Sequence, residues 1–104
     1  MMDQTKALRA FAALSHETRL AVLRLLVPKG PTGLSAGEIA EQTATSASGL
    51  SFHLNAMEQA GLLTSKKQSR NVIYCADVAN LAGLVRYLTE DCCCAHPQVC
   101  RPTG

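Results

Sequence analysis

Four of the five cysteines fall in one short stretch near the end of the chain, Cys92-Cys93-Cys94-Ala95-His96-Pro97-Gln98-Val99-Cys100. Thiolates are soft ligands and select thiophilic species. Trivalent arsenic and antimony take three sulfurs in a pyramid, with a lone pair in the remaining direction, and this stretch offers four thiols. Neighbouring side chains on a helix project roughly 100° apart, so Cys93 and Cys94 can share a centre with some unwinding. Pro97 ends any helix and lets Cys100 fold back. Other chemistries use the same atoms. Zinc can take Cys92, Cys93 or Cys94 with His96 and Cys100 in a tetrahedral site, although the paired-cysteine loops usual in structural zinc sites are absent. Cadmium, lead or mercury can use the same sulfurs, and vicinal thiols can act as a redox switch. An odd cysteine count with three adjacent residues makes a poor disulfide framework. Cys75, at the end of a predicted strand, reads as a small core residue.

A thiol enzyme is the alternative from another class. It needs an activated cysteine, typically at a helix N-terminus or beside basic groups. These cysteines instead follow Glu90 and Asp91 at a predicted helix C-terminus, where thiolate is disfavoured. The expectation is a binding protein rather than an enzyme, with no organic cofactor.

The rest of the chain must position such a sensor. Its 104 residues suit one domain. Apolar residues make up 47% and charged residues 17%, so a core is expected, and with 4% aromatics it should be aliphatic. A domain this small gains from burying a further apolar face between two copies. The start, MMDQTKALRAF, has no apolar run of signal-peptide length, and Leu20 to Val27 is short and carries Arg24. A cytoplasmic protein that does not enter the membrane is expected.

Helical spacing of Leu8, Phe11 and Ala12 predicts a helix over Gln4 to Leu14. Ser15 is the expected N-cap of a second helix carrying Leu20, Leu23, Leu26 and Val27 on one face, ended by Pro28, Gly30, Pro31 and Gly33. A short helix follows over Ser35 to Thr43, with Ile39 and Ala40 inward. The next starts near Thr45 or Ser46 and runs to about Gln59, with Leu50, Leu54 and Met57 on its buried face. Gly61 supplies the left-handed residue that closes it. Leu62 to Lys67 and Asn71 to Ala76 read as strands joined by a Gln68-Ser69-Arg70 turn. A last helix, N-capped by Asp77, runs to near Glu90 with the stripe Leu81, Leu84, Val85 and Leu88. The predicted fold is mainly α with a small β-hairpin, a winged helix-turn-helix in the order α-α-α-α-β-β-α. Residues 1–91 would form the DNA-binding and dimerisation domain, and residues 92–104 a cysteine-rich sensor tail.

Two short helices with a tight link, followed at once by a basic hairpin, suit DNA. The major groove admits one helix, and polar side chains on it read base edges. Ser46, Ser48, Ser51 and His53 occupy the front turns of the candidate recognition helix, opposite Leu50, Leu54 and Met57. Lys66, Lys67 and Arg70 lie near the hairpin tip, where cations reach phosphates. The net charge of only +2 therefore hides a local basic cluster. Taken singly, each of these features also fits a solvated surface; their order is what points to DNA.

Leu14-Ser15-His16-Glu17-Thr18-Arg19-Leu20, continuing to Leu23, Leu25 and Leu26, resembles the opening helix of the ArsR/SmtB family of metalloregulatory winged-helix repressors. Ser46-Ala47-Ser48-Gly49-Leu50-Ser51-Phe52-His53-Leu54, followed by Ala60-Gly61-Leu62-Leu63, resembles that family's recognition helix and entry to the wing, and Tyr74 stands where the family places its wing tyrosine. The resemblance covers about residues 5–90. It implies a homodimer, joined through the first and last helices, that holds double-stranded operator DNA until an inducer binds. It places Ser46, Ala47, Ser48, Ser51, Phe52 and His53 at the DNA, with Lys66, Lys67 and Arg70 on the wing. Gly49 and Phe52 depart from the family pattern, which is usually more polar there. Some arsenical repressors of the family sense through a cysteine pair and a third cysteine close to the C-terminus; Cys93, Cys94 and Cys100 are similar in spacing, with Cys92 as an alternative ligand. The family's Cys-Val-Cys arsenic motif before the recognition helix is missing, and the last helix has no histidine for the interhelical zinc site. The resemblance thus implies As(III) or Sb(III) as inducer, held by the tail. A constitutive DNA-binding protein without a ligand is the remaining alternative.

Overall fold

The computed structural model of the protein describes residues 2–90. Helix α1 spans Gln4–Leu14 and is capped by Asp3, whose carboxylate accepts from the Lys6 backbone N–H at 2.8 Å. Its inward face is a line of small residues, Ala7, Ala10 and Ala13, all buried. Leu8 and Phe11, expected from their spacing to face the core, are instead 60% and 39% exposed, and Ala12 is exposed too. Alanines let the α1 backbone approach its neighbours closely, which turns the larger side chains outward.

Helix α2 spans Glu17–Leu26. Ser15 was the expected cap but ends α1, its N–H bonded to Ala12 O, and the His16 ring takes over: Nδ1 accepts from the Thr18 N–H at 3.1 Å. Val22, Leu23 and Leu26 face the core. Leu20 and Val27, predicted on that face, are 47% and 45% exposed. Val27 still closes a helical bond, its N–H to Leu23 O, and the chain then passes through Pro28 into a 3-10 segment, Val27–Thr32, that is kinked at Gly30.

A strand absent from the predicted order follows. β1, Leu34–Ser35, pairs antiparallel with a later strand through Leu34↔Tyr74 and Ser35↔Ile73. Helix α3, Ala36–Thr43, then starts on a capping box: the Glu38 N–H donates to Ser35 Oγ at 3.2 Å, and the Ser35 N–H donates to Glu38 Oε1 at 2.9 Å. The Ser35 N–H first, and then the Ser35 hydroxyl, hold the Glu38 carboxyl below its ordinary range by hydrogen bonding to its charged form. Its contribution to stability is therefore present above the unfolded-state pKa and fades as pH falls through the folded one. Ser35→Ala is expected to cost about 1 kcal/mol, read as a lower urea midpoint at pH 7, with the difference from the parent shrinking in acid.

Ile39 is fully buried and Ala40 half-buried. Helix α4, Ala47–Gln59, is capped by Ser46 and buries Leu50, Leu54 and Met57, as its periodicity predicts. Gly61, at φ +81°, closes it, and Asn80 Nδ2 donates to Gly61 O at 2.7 Å. The Leu62 N–H is still bonded back to Met57 O, so strand β2 starts one residue later than predicted, at Leu63–Gln68. β3, Asn71–Ala76, pairs with it from Leu63↔Ala76 to Gln68↔Asn71. The turn is therefore the two residues Ser69-Arg70, with Ser69 at φ +59°, the positive φ that short hairpin turns need. The sheet order is β1-β3-β2. Helix α5, Val78–Thr89, is capped by Asp77 as expected. Its predicted stripe divides: Leu84 is buried and Leu81 partly so, while Val85 and Leu88 are 59% and 51% exposed.

The described part is thus five α-helices and a three-stranded antiparallel sheet around an aliphatic core. Among the described residues no helix is long and apolar enough to cross a membrane. Cys75 is buried, with its Sγ donating to Pro31 O at 3.5 Å.

Candidate nucleic-acid interface

The link between α3 and α4 is three residues, held from inside. Ala44 takes a left-handed conformation at φ +52°, and the Thr45 N–H returns to Ala40 O at 3.1 Å. The Thr43 hydroxyl donates to Ile39 O at 2.7 Å and lies 2.9 Å from that of Thr45. With Ile39 and Leu50 both buried across this joint, the angle between the helices is set by the core.

α4 then divides cleanly. Leu50, Leu54 and Met57 are at most 1% exposed, while Ser46, Ala47, Ser48, Ser51 and Phe52 are all exposed. The Ser46 hydroxyl is occupied, accepting from the Gly49 N–H at 3.2 Å, so its first duty is to cap. A Cβ at position 49 would sit 3.0 Å from that hydroxyl, which gives Gly49 a local reason in the helix. Phe52 is 67% exposed and Arg19 lies over its ring. His53 is half-buried and turned towards the start of α2, where Arg19 Nε donates to its Nδ1 at 2.9 Å and the His16 ring lies 4.4 Å away. Burial first, then the charges of His16 and Arg19, pull its pKa below the usual histidine value.

The basic residues of the hairpin do not form one group. Arg70 lies in the turn and Lys67 one pair below the last rung, both exposed. Lys66, on the opposite face of the strand, donates from Nζ to Pro31 O at 2.7 Å, tying the wing to the 3-10 segment. Sequence reasoning passed over two groups. Asn55 is exposed four residues after Ser51 and extends the polar face by one turn, a spacing already visible in the sequence. Arg19 and His16 reach α4 from 34 and 37 positions away, and nothing local announces that.

Among the described residues no group of three or more His, Cys, Asp or Glu side chains is placed to hold a metal ion. The candidate ligands Cys92, Cys93, Cys94 and Cys100, with His96, lie outside the described residues.

A helix-turn-helix whose second helix shows a polar front, flanked by a hairpin with exposed cations, defines a winged helix-turn-helix protein. Residues 14–66 match the family described as "Helix-turn-helix domain". The chain is 40% identical over 68 residues to an uncharacterised HTH-type transcriptional regulator, YceK, of Bacillus subtilis (strain 168), the match covering 65% of this chain and 66% of that protein. It is 40% identical over 62 residues to the HTH-type transcriptional regulator YgaV of Escherichia coli (strain K12), covering 60% and 61%. The matches thus span just under two thirds of the length of these two relatives. An ArsR-like transcriptional regulator from Rhodococcus sp. RHA1 superposes with a TM-score of 0.74 at 35% identity, covering 83% of this chain and 78% of that one. The chain belongs to the ArsR family of winged helix-turn-helix transcriptional regulators. All three of these relatives are named as transcriptional regulators.

Proposed function

We propose that the chain is a homodimeric transcriptional repressor, released from double-stranded operator DNA when As(III) or Sb(III) is captured by Cys93, Cys94 and Cys100. The observation that carries the DNA half is the division of α4: an exposed polar front of Ser48, Ser51 and Asn55 over an aliphatic back held in the core. Such a helix has no packing use for its front, and a major groove is the environment that matches it. Pairing rests on apolar side chains left outside the core, Leu8 and Phe11 on α1 and Val78, Val85 and Leu88 on α5. Already about half buried, each gains on the order of 1 kcal/mol when the rest is covered, and a second copy covers both helices at once. Two recognition helices then meet half-sites about one DNA turn apart.

The sensing half rests on the sequence of the tail, residues 92–104, acting as a unit beyond the domain of residues 1–91. Three thiolates in Cys93-Cys94-x5-Cys100 satisfy a trivalent pnictogen without further ligands. Capture draws Cys100 towards the pair, alters the end of the dimer helix, and so shifts the spacing of the recognition helices. Another thiophilic ion, Cd, Pb, Hg or Zn, or thiol oxidation would act through the same sulfurs.

The test is a titration of the operator complex, with the duplex obtained by selection from a random pool, using arsenite, antimonite, cadmium and zinc in parallel. Release by the first two at lower concentrations than the others supports the reading; a complex indifferent to every thiophile leaves a constitutive DNA-binding protein. The wing gives a separate prediction. Lys67→Ala and Arg70→Ala are each expected to weaken all duplexes alike and to lower the slope of log K against log salt by roughly 0.9 for each phosphate no longer neutralised. Lys66→Ala, whose ammonium is bonded to Pro31 O, is expected to leave that slope nearly unchanged.

A further inference from the structure

His53 differs from the other candidate DNA-reading residues of α4 in being hydrogen-bonded by a side chain from outside the helix-turn-helix. Arg19 Nε donates to its Nδ1 at 2.9 Å. Arg19 is itself fixed: Nη1 donates to Ala13 O at 3.4 Å, and the guanidinium carbon lies 5.6 Å from the centre of the Phe52 ring. The end of α1, the first turn of α2 and the middle of α4 therefore meet at one guanidinium.

The bond has a consequence for the ring. A neutral imidazole that accepts at Nδ1 carries its proton at Nε2 and can only donate there. Among the described residues Nε2 of His53 has no partner. We infer that Arg19 is a positioning residue for DNA recognition, holding His53 as a neutral Nε2–H donor for an acceptor atom on the bound duplex. The major-groove acceptors a duplex offers such a donor are purine N7, guanine O6 and thymine O4, and the backbone adds its phosphate oxygens. The inference rests on the operator-binding reading above.

Protonation undoes the arrangement, because a ring charged at both nitrogens cannot accept from Arg19. The titratable and charged groups facing His53 are His16, at the junction of α1 and α2, and Arg19, on α2. Both carry or can gain positive charge, and with burial as the leading cause they keep the neutral form populated below the ordinary value of 6.5. Operator affinity is therefore expected to hold at neutral pH and to fall in acid.

Two measurements test this. The ring 15N shifts of His53 in the free, full-length protein should report an unprotonated Nδ1 and a protonated Nε2, and Arg19→Met should give a mixture of tautomers. An unchanged tautomer in Arg19→Met would overturn the inference. Operator binding read against pH should show Arg19→Met weakened about tenfold at pH 7.5. Its acid fall should largely disappear, because the bond that protonation breaks in the parent is already gone. His53→Gln, which keeps a donor but cannot titrate, should flatten the acid fall. Loss confined to the selected sequence identifies a base edge, and equal loss on all duplexes a phosphate; an Arg19→Met profile superimposable on the parent overturns the proposal. If the parent binds no duplex while the ring shifts behave as stated, the operator reading has failed and the latch stands as a fact of the free protein. If the parent binds and the shifts do not respond to Arg19, the latch alone has failed.

Discussion

Gly33→Ala is expected to cost about 3 kcal/mol or more, a large share of the roughly 5–15 kcal/mol that separates a folded domain from its unfolded chain. Two costs combine. The residue sits at φ +60° and ψ −167°, a region essentially reserved for glycine. A Cβ there would also strike the Tyr74 carbonyl and come within 2.7 Å of Cys75 Sγ and 2.8 Å of Ile73 Cγ2. None of these three can retreat easily: Tyr74 is paired to Leu34 in the sheet, Cys75 is buried, and Ile73 is paired to Ser35. What yields is the β1–β3 pairing, the contact that ties the end of α2 and the start of α3 to the wing. Gly37→Ala is the control. It lies in α3, where a Cβ meets nothing closer than Ser35 Oγ at 4.0 Å, and it should raise stability by about 0.5 kcal/mol. Urea denaturation of both variants gives the comparison, and similar midpoints would mean that the close approach at Gly33 carries no weight.

That position also shows where the sequence stopped being legible. Gly33 reads simply as a breaker, because its partners lie some forty residues away and β1 is two residues long, too short for any periodicity. Features written within one turn were readable: the Asp77 cap, the start of α4 near Ser46, the Leu50, Leu54 and Met57 face, and the left-handed Gly61. The same rules failed where a competing side chain sat next door, as with His16 displacing Ser15 at the start of α2. They also failed where small residues won the core, as with Ala7, Ala10 and Ala13 over Leu8 and Phe11. A hydrophobicity pattern locates an apolar face but does not say whether it meets its own core or another molecule. At the candidate interface the polar front of α4 was visible in order and spacing. The attachments of His53 to Arg19 and of Lys66 to Pro31 were not, since each joins residues more than thirty positions apart.

Replacing any one of Cys93, Cys94 or Cys100 by serine is expected to abolish release of the operator by arsenite while leaving operator binding intact. A serine hydroxyl is a poor donor to a soft centre, and a pyramidal site with two sulfurs is short of a third of its bonds. The coupling between inducer and operator is typically about 1–3 kcal/mol, a shift of roughly 5–150-fold in affinity, and the variants should show none of it. Cys92→Ser separates the alternatives: with Cys93, Cys94 and Cys100 as the ligands it responds like the parent, whereas loss of response makes Cys92 a ligand. Cys75→Ser serves as the internal control, because that thiol is buried against Pro31 and should affect stability without touching the arsenite response. The decisive comparison is binding against release in the same variants, read by anisotropy of a labelled duplex. Operator binding that disappears together with the thiols would make the cysteines part of the fold and remove the sensor. Binding that persists and still yields to arsenite would place the inducer elsewhere, and with no three-ligand group among the described residues, the tail's remaining donors, Cys92 and His96, would be the next to replace.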